Sequence, residues 1–350
     1  MSVFSKFFSK KQKPTFKIQI RGTEIVFPAR KGQTILEAAE QAGLFFPYNC
    51  RVGSCTECKC IVHGEVKELT DMGFALPKEE LNRGMRLACQ SIPKSDLEIE
   101  VTLLKSGGKE RQETKGKINQ IQDLTHDIKE VHVQLEKPIS YIAGQYAQLI
   151  HDSIGEPRSY SMAEAPAPKK NKELVFYIRK VPGGAFTEWL FAEDRTGEEL
   201  KVIAPLGTFF LRDSDSAPII AVAGGSGLAP IKAVLEAAIG VERPVQFFFG
   251  ARTQKDLYAL EAIEKIKQSW KAPFEFIPAL SEEEENSNWK GDRGLITEVM
   301  DKKLKPAENA QAYLCGPPGM IDAAVEVLKN HGVKQDHIFM DKFTDKSHLK

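Results

Sequence analysis

The sequence predicts a multidomain protein that combines an α+β unit, an antiparallel β-barrel and a doubly wound α/β unit. Three observations lead to this prediction: a cysteine-rich loop behind a hairpin and a helix, a middle region of short alternating segments, and a last third in which apolar strands alternate with helices. The chain has 350 residues, a length that suggests two or three domains.

The first predicted unit spans residues 14–104. Apolar residues alternate over residues 15–27, which indicates a β-hairpin. The next segment, TILEAAEQAG, predicts a helix because Thr34 and Glu37 have capping-box spacing and Gly43 suits the position after a helix end. The segment DLEIEVTLL then predicts a closing strand.

The rest of the chain divides at two changes of pattern. Residues 105–112 are polar and glycine-bearing, as expected of a linker. Residues 113–214 hold alternating segments such as IKEVHVQLE and ELVFYIRKV, which predict an antiparallel barrel. In residues 215–350 the continuous apolar run IIAVAGG indicates a strand buried on both faces. Helices APIKAVLEAAIG and DLYALEAIEKIK alternate with strands PVQFFFGA, FEFIPAL and AYLCG there, which predicts a parallel doubly wound sheet.

Four of the six cysteines lie within eleven residues. Cys50, Cys55 and Cys58 have the spacing C-x4-C-x2-C, and Cys89 follows after thirty intervening residues, which is the spacing of a plant-type [2Fe–2S] site. The alternatives are a zinc site, which usually needs a second short pair, a redox dithiol, which usually opens a helix, and disulfides, which are rare in a reducing cytoplasm. Cys60 falls outside the spacing, and we interpret it as a small buried side chain.

Two neighbouring segments of the barrel region carry groups suited to a phosphate and a flat ring. In RSYSM, Arg158 can pair with a diphosphate, Tyr160 offers a face for stacking, and Ser161 offers a hydroxyl. In VPGGAFTEWL, Gly183 and Gly184 precede a helical segment, so that backbone amides can approach a phosphate.

Three strand ends in the last unit are suited to a dinucleotide. VAGGSGLAP places small residues between a buried strand and a helix, which lets the backbone and the helix N-terminus approach a diphosphate. FFFGARTQKDLY and YLCGPPGM end two further strands, and ligands bind at such carboxyl ends where the strand order reverses.

These motifs carry a resemblance to known families. CRVGSCTECKC with LACQS resembles the signature of plant-type ferredoxins, which have a β-grasp fold. RSYSM, VPGGAFTEWL and the three strand ends resemble the flavin and nucleotide domains of the ferredoxin–NADP reductase superfamily. The whole order resembles the reductase components of bacterial multicomponent oxygenases, such as those of phenol hydroxylase and soluble methane monooxygenase.

The resemblance implies a [2Fe–2S] cluster, FAD and NADH, and assigns residues to each. The cluster ligands are Cys50, Cys55, Cys58 and Cys89. The flavin residues are Arg158, Tyr160, Ser161, Met162, Gly183, Gly184 and Thr187. The nucleotide residues are Gly224, Gly225, Gly227, Arg252, Thr253, Cys315, Gly316 and Pro317.

Three residues are implied to act at the reacting rings: Ser161 at flavin N5, Cys315 at the nicotinamide, and Phe343 as an aromatic that covers the flavin and moves aside. Seven further residues follow Phe343, unlike the family pattern. Arg252 would suit the 2′-phosphate of NADPH, but Asp256 would disfavour it, so NADH is expected.

The implied function is electron transfer from NADH through FAD and the cluster to a terminal oxygenase, hydroxylase or desaturase, because a cluster carries one electron and hydride delivers two. The alternatives are a self-contained reductase of quinone or ferric iron, and a non-enzymatic iron–sulfur sensor. We expect a monomer. We expect no nucleic-acid binding, since the formal net charge is +0 and gives no global field that would attract it.

The first residues bear on localisation. They lack the apolar region of a secretory signal, and no apolar run reaches 18 residues, so a cytoplasmic protein is expected. Residues 1–13 interleave phenylalanine with lysine, and we interpret them as a flexible basic tail. The alternative is weak membrane contact through this tail, peripheral at the inner face of the membrane.

Overall fold

The computed structural model describes residues 15–48, 51–53, 56–103, 111–214 and 216–343. The predictions for Cys50, Cys55, the tail 1–13 and most of the linker 105–112 lie outside the described residues. The chain divides into two compact units, Met1–Ser106 and Gly107–Lys350.

The first unit is a mixed sheet with a helix packed on it. Its five-stranded sheet has the order β2-β1-β7-β3-β5, in which only the β1–β7 pair is parallel, and β4 pairs with β6. The elements are β1 (Thr15–Ile20), β2 (Val26–Arg30), α1 (Ile35–Gln41), β3 (Lys59–His63), β4 (Val66–Glu68), α2 (Lys78–Asn82), β5 (Met85–Leu87), β6 (Ser91–Pro93) and β7 (Leu97–Glu100).

Helix α1 begins and ends as the sequence predicts. The Glu37 amide donates to Thr34 Oγ1 at 3.2 Å, and the Thr34 amide donates to Glu37 Oε2 at 2.9 Å, which completes the capping box. Gly43 follows the helix with a φ of +74°, a left-handed conformation that glycine adopts readily. The buried face of α1 packs into the core of the unit. The chain then continues from the end of α1 towards the cysteine loop.

The first half of the second unit is an antiparallel six-stranded sheet with the order β11-β10-β13-β8-β9-β12. A bridge between Met162 and Phe176 joins its two edges, so the sheet curls towards a barrel. The elements are β8 (Gln112–Asp123), β9 (Ile128–Ile139), β10 (Tyr146–Ile150), β11 (Arg158–Ser161), β12 (Asn171–Arg179), α3 (Ala185–Ala192) and β13 (Glu199–Leu206).

The second half is a parallel six-stranded sheet with the order β17-β16-β15-β14-β18-β19. The strand order reverses at β14, because β15, β16 and β17 lie on one side of it and β18 and β19 lie on the other. The elements are β14 (Ile219–Gly224), α4 (Leu228–Ala237), β15 (Val245–Ala251), α5 (Leu260–Ser269), β16 (Phe274–Leu280), β17 (Asp292–Arg293), α6 (Ile296–Lys303), β18 (Gln311–Gly316), α7 (Pro318–Asn330) and β19 (Ile338–Lys342).

The apolar run of β14 has the two-sided burial that the sequence predicts. Ala221 and Ala223 lie in one core cluster, whereas Ile220 and Val222 lie in another. Successive side chains of a strand point to opposite faces, so helices must cover both sides of this sheet.

Helix α5 begins four residues later than the predicted segment DLYALEAIEKIK. Asp256 accepts hydrogen bonds from the amide and hydroxyl of Thr253, and Ala259 has a left-handed φ of 55°. The capping interaction and the left-handed residue separate a short turn from the helix. Among the described residues, no helix combines the length and apolar character needed to cross a membrane.

Candidate functional site

The cysteine loop lies against the short 3-10 turn, Ala88–Gln90, that carries Cys89 between β5 and β6. Cys58 and Cys89 are both buried, and the Ala88 amide donates to the Cys58 carbonyl at 2.9 Å. The fold therefore brings together two cysteines that are thirty-one positions apart. The other two predicted ligands, Cys50 and Cys55, lie outside the described residues.

The backbone of this loop fits an anionic group. Arg51, Gly53 and Thr56 all have left-handed φ angles, of 61°, 85° and 59°. This conformation is uncommon for residues other than glycine, and alternation with right-handed residues makes concavities lined by amides that bind anions. The buried side chains of Cys58 and Cys89 and the turned backbone fit an iron–sulfur cluster, which cysteine thiolates and backbone amides would hold.

Gln90 holds the cysteine loop to the turn that carries Cys89, a role that the sequence motifs did not indicate. Its buried side-chain amide donates to the Arg51 carbonyl at 2.9 Å and to the Cys89 carbonyl at 3.1 Å. A Cβ added to Gly53 would lie 2.9 Å from Gln90 Cγ, so the loop passes close over this side chain. The motif LACQS contained the glutamine, but its partner was not visible in the sequence.

Cys60 lies one strand position away from the loop and differs from the predicted ligands. It is buried in the core of the first unit, and burial, with a smaller contribution from Cys89, raises its pKa to about 12. A thiol of this kind stays protonated near neutral pH, which suits a packing role.

The two predicted flavin motifs meet in the barrel. Arg158 and Tyr160 lie two positions apart on β11 and so share a face of this edge strand. The Tyr160 ring packs on the Phe186 ring of α3, with centroids 5.4 Å apart, and burial raises the pKa of Tyr160. Arg158 Nη2 donates to Glu156 Oε2 at 2.7 Å, which keeps the guanidinium beside the strand.

The start of α3 is built for close approach of a ligand to backbone. Gly184 precedes the helix without a side-chain cap, and an added Cβ at Gly183 would meet no atom within 4 Å. A Cβ at Gly184 would instead lie 2.7 Å from Thr187 Oγ1. The Gly183 amide donates to Glu188 Oε1 at 3.2 Å and the Gly184 amide to the Val181 carbonyl at 2.9 Å. The open space at Gly183 and the first amides of α3, which lack a side-chain cap, fit a phosphate group.

Thr187 and Met162, both predicted to be flavin residues, have side chains that are buried within the protein. The Thr187 hydroxyl is buried and bonds the Val181 and Gly184 carbonyls, each at 3.1 Å, so it holds the turn. The Met162 side chain is fully buried in the barrel core. Ser161, also buried, stands opposite Tyr146 of β10.

The glycine turn after β14 packs backbone against backbone. A Cβ at Gly227 would lie 2.2 Å from the Cys315 carbonyl oxygen, and one at Gly224 would lie 2.5 Å from Met320 Sδ. Gly225 between them has a left-handed φ of +55°. Gly227 is therefore required by its contact with backbone and Gly225 is favoured by its φ, whereas the contact at Gly224 is with the Met320 side chain. Helix α4 begins directly after this turn without a side-chain cap.

The end of β18 gathers the residues predicted to act at the nicotinamide. Cys315 pairs with Ala223 on one side and with Asp341 on the other. The Phe343 amide donates to the Gly316 carbonyl at 2.9 Å, so the late aromatic and the cysteine lie at the same strand end. Pro317 precedes α7 directly after them. Burial raises the pKa of Cys315 well above its ordinary value, and Asp341 adds to this, so the thiol is neutral.

Arg252 and Thr253 lie at the end of β15, and both contact Asp256. Thr253 donates from its amide and hydroxyl to Asp256 Oδ2, each at 2.9 Å, whereas Arg252 Nη2 lies 3.2 Å from Asp256 Oδ1. The positive charge at this strand end is therefore already balanced by a carboxylate.

Three family models match the chain in succession. They are the 2Fe-2S iron-sulfur cluster binding domain over residues 18–94, the oxidoreductase FAD-binding domain over residues 115–211, and the oxidoreductase NAD-binding domain over residues 221–326. With the sites described above, they define an iron–sulfur flavoprotein oxidoreductase.

Relatives specify the family. The chain is 44% identical to the xylene/toluene monooxygenase electron transfer component of Pseudomonas putida over 94% of both chains. It is 33% identical to the reductase component of phenol 2-monooxygenase from Pseudomonas sp. strain CF600, again over 94% of both. An Amycolatopsis cytochrome P450 reductase of known structure matches with a TM-score of 0.79 and 31% identity, over 95% of this chain and 99% of that one. This chain belongs to the family of reductase components of multicomponent oxygenases.

Membership confirms the predicted fold class, cofactors and function. The protein is an oxidoreductase that transfers electrons from NAD(P)H through FAD and a [2Fe–2S] cluster to oxygenase components.

Proposed function

We propose that this chain is the NADH-dependent reductase of a monooxygenase whose terminal component hydroxylates an aromatic hydrocarbon. The relative with 44% identity, named as the electron transfer component of a xylene/toluene monooxygenase, supports this partner class. The single observation that carries the choice of NADH is the pairing of Arg252 with carboxylates.

The preference for NADH follows from charge. NADPH differs from NADH by a 2′-phosphate, which needs an unpaired cation beside the ribose. Arg252 Nη2 lies 3.2 Å from Asp256 and 3.5 Å from Asp127, so a phosphate here would face two carboxylates as well as the guanidinium. The hydroxyl of NADH carries no charge and meets no such repulsion.

In the flavin site we assign Arg158 to the diphosphate, Tyr160 to the flavin ring and the Ser161 hydroxyl to the N5 edge. The backbone at Gly183 and Gly184 would lie at the phosphate, with the Thr187 hydroxyl holding the turn. The uncapped start of α3 and the Tyr160–Phe186 packing support this arrangement. Bound FAD would accept two electrons from the dinucleotide and release them singly to the cluster.

At the nicotinamide we assign positions to Cys315 and Phe343. A neutral, fully buried thiol excludes water without placing a charge beside the ring, and the Phe343–Gly316 hydrogen bond holds the aromatic at the same strand end. The glycine turn after β14 would hold the diphosphate on its amides. We expect Phe343 to lie over the flavin when no nicotinamide is bound.

The proposed cluster ligands are Cys50, Cys55, Cys58 and Cys89. Cys58 and Cys89 support this set, because both are buried and the backbone of Cys58 is hydrogen-bonded to Ala88, next to Cys89. We further propose the domain boundaries 14–104, 113–214 and 215–350, a monomeric state, and a basic tail at residues 1–13, with weak membrane contact through this tail as the alternative. Liposome co-sedimentation of the chain with and without residues 1–13 tests the alternative, and equal recovery of both proteins would refute membrane contact.

The function is tested with the purified protein that holds FAD and the cluster. NADH oxidation is measured alone, with a soluble quinone, and with the hydroxylase of a xylene/toluene-type monooxygenase plus its hydrocarbon. We expect hydroxylated product in proportion to NADH oxidised, and a clearly lower kcat/KM with NADPH. Fast turnover on quinone without product formation would instead support a self-contained reductase. Failure of NADH to bleach the flavin would support a sensor.

A further inference from the structure

Arg252 contacts two carboxylates that come from different halves of the second unit. Asp256 lies four positions away in the turn after β15, whereas Asp127 lies 125 positions away, in the turn between β8 and β9 of the barrel. Arg252 Nη2 is 3.5 Å from Asp127 Oδ2, and the Arg252 side chain is 44% exposed. The barrel therefore supplies a charge at the place where the nucleotide sheet would receive the adenosine ribose.

Asp127 is held firmly in this position. Its Oδ2 accepts from Arg179 Nε at 3.0 Å, its Oδ1 accepts from the Thr125 hydroxyl at 3.0 Å, and its backbone carbonyl accepts from the Lys180 amide at 2.7 Å. Burial alone would raise the pKa of Asp127, but the hydrogen bonds from Arg179 and Thr125 outweigh it and lower the pKa. The carboxylate is thus charged at neutral pH and fixed in direction.

The second carboxylate, that of Asp256, has a structural role. Both oxygens of Asp256 are engaged, one by Thr253 and the other by Arg252, so Asp256 builds the turn after β15. Asp127 belongs to no element of the nucleotide sheet, and its loss leaves that turn intact.

The side chains of His126, Asp127 and Asp256 could approach one metal ion, since their ligand atoms lie within 4.8 Å of one another. Arg179 and Arg252 already supply the positive charge there.

We propose that Asp127 determines nucleotide specificity from the barrel side, by holding the Arg252 guanidinium away from a 2′-phosphate. The inference rests on the proposed function in one respect, namely that the adenosine ribose lies at the end of β15. Asp127 is a positioning residue, because it acts on the nucleotide through Arg252. Removal of its charge leaves Asp256 as the one carboxylate beside the guanidinium, which can then pair with a phosphate more favourably, and removes one repulsive group.

The test compares Asp127→Asn with the unaltered protein, both holding FAD and cluster. Dissociation constants for NADP⁺ and NAD⁺ are measured by titration calorimetry, and the thermal midpoint is recorded for each protein. We expect NADP⁺ to bind about fivefold more tightly to the variant, the size of one partly exposed ion pair. NAD⁺ should change by less than about twofold, so that the ratio of the two constants reports specificity.

Two further variants separate the charge effect from general loosening. Asp123→Asn is the matched control, because Asp123 lies in the same hairpin and, within the described part of the chain, forms an ion pair only with Lys129, at 2.8 Å. Asp127→Asn/Arg252→Gln should lose the gain in NADP⁺ affinity, because the gain requires the guanidinium. An unchanged ratio in Asp127→Asn, or the same change in Asp123→Asn, overturns the proposal.

A last variant keeps the proposal testable if Asp127→Asn does not retain its FAD. In Arg252→Gln alone, NADP⁺ affinity should fall by about twofold or less, since the guanidinium is already engaged. A fall of fivefold or more would show that Arg252 serves the phosphate in the unaltered protein, and would overturn the proposal. The unaltered protein's own preference between NADH and NADPH tests the proposed function separately, because the variants are judged by ratios relative to it.

Discussion

Lys232 of α4 donates a hydrogen bond from Nζ to Glu164 Oε1 at 2.8 Å, and this ion pair joins the nucleotide sheet to the barrel. The lysine is only 3% exposed, and its ammonium also reaches Glu236 Oε2 at 3.0 Å and the Ala163 carbonyl at 3.3 Å. Glu164 follows the strand that carries the predicted flavin residues, and α4 begins at the glycine turn. The ammonium therefore positions the two motifs relative to each other within the second unit.

Replacement of this lysine should weaken the second unit. Lys232→Met leaves two carboxylates facing each other without their cation, and the cost should be about 2 kcal/mol, below that of a fully buried pair because both carboxylates are partly exposed. The temperature at which FAD fluorescence appears should fall by about 4–8 °C. Lys267→Met is the control, since Lys267 lies on the exposed face of α5. An equal shift in both variants would contradict the prediction.

The glycine turn should tolerate no side chain at its last position. In Gly227→Ala the new Cβ meets the backbone of Cys315 at 2.2 Å, and backbone cannot rotate away. We expect a loss of roughly 3 kcal/mol in stability, seen as a lower thermal midpoint, and weaker NAD⁺ binding by calorimetry. Gly319→Ala, where a Cβ meets nothing within 4 Å in α7, should be neutral or slightly stabilising. Similar behaviour of the two variants would refute the close packing.

The stability of the barrel should depend on pH through His132. Burial alone would lower the pKa of His132, but Glu130 at 2.9 Å and Glu173 at 3.1 Å outweigh it and raise the pKa. The folded protein therefore holds the proton more tightly than the unfolded chain. This stabilisation is complete below the ordinary histidine pKa of about 6.5 and is lost as the pH rises through the raised value.

His132→Gln should abolish that contribution. The thermal midpoint of FAD release is measured at pH 6 and pH 8.5 for the variant and the unaltered protein. The variant should lose more stability at pH 6 than at pH 8.5. A loss of the same size at both values would show that His132 contributes only by packing.

Serine substitutions should distinguish the cysteines that bind the cluster from Cys60, which packs in the core. Cys58→Ser and Cys89→Ser should lose the visible absorbance and acid-labile sulfide of the cluster, while NADH still bleaches the flavin, because the flavin site lies in the other unit. Cys60→Ser should keep most of the cluster, since its thiol is buried and protonated. Full cluster content in Cys89→Ser, measured as two iron atoms per chain, would exclude Cys89 from the ligand set.

Much of this protein was predictable because its signals are local. Helix α1 and its cap follow from Thr34, Glu37 and Gly43, all within one short segment, and the two-sided burial of β14 follows from its continuous apolar run. The cysteine spacing and the glycine turns likewise express constraints between near neighbours in the chain. Periodicity and turn chemistry act over a few residues, and a single sequence records them directly.

Tertiary structure alone decided which distant side chains meet. The pairs Lys232–Glu164 and Arg252–Asp127 join residues 68 and 125 positions apart, and Gln90 reaches the Arg51 carbonyl across 39. Thr187 is predicted to be a flavin residue, but its hydroxyl donates to the Val181 and Gly184 carbonyls and so stabilises the turn that precedes α3. The sequence by itself determined the fold class and the cofactors, which the family models confirm, and it predicts the strand ends that would receive them. The charge balance around those strand ends depends on how the barrel and the parallel sheet pack, because an ion pair needs two groups within a few ångströms and no local pattern encodes that distance.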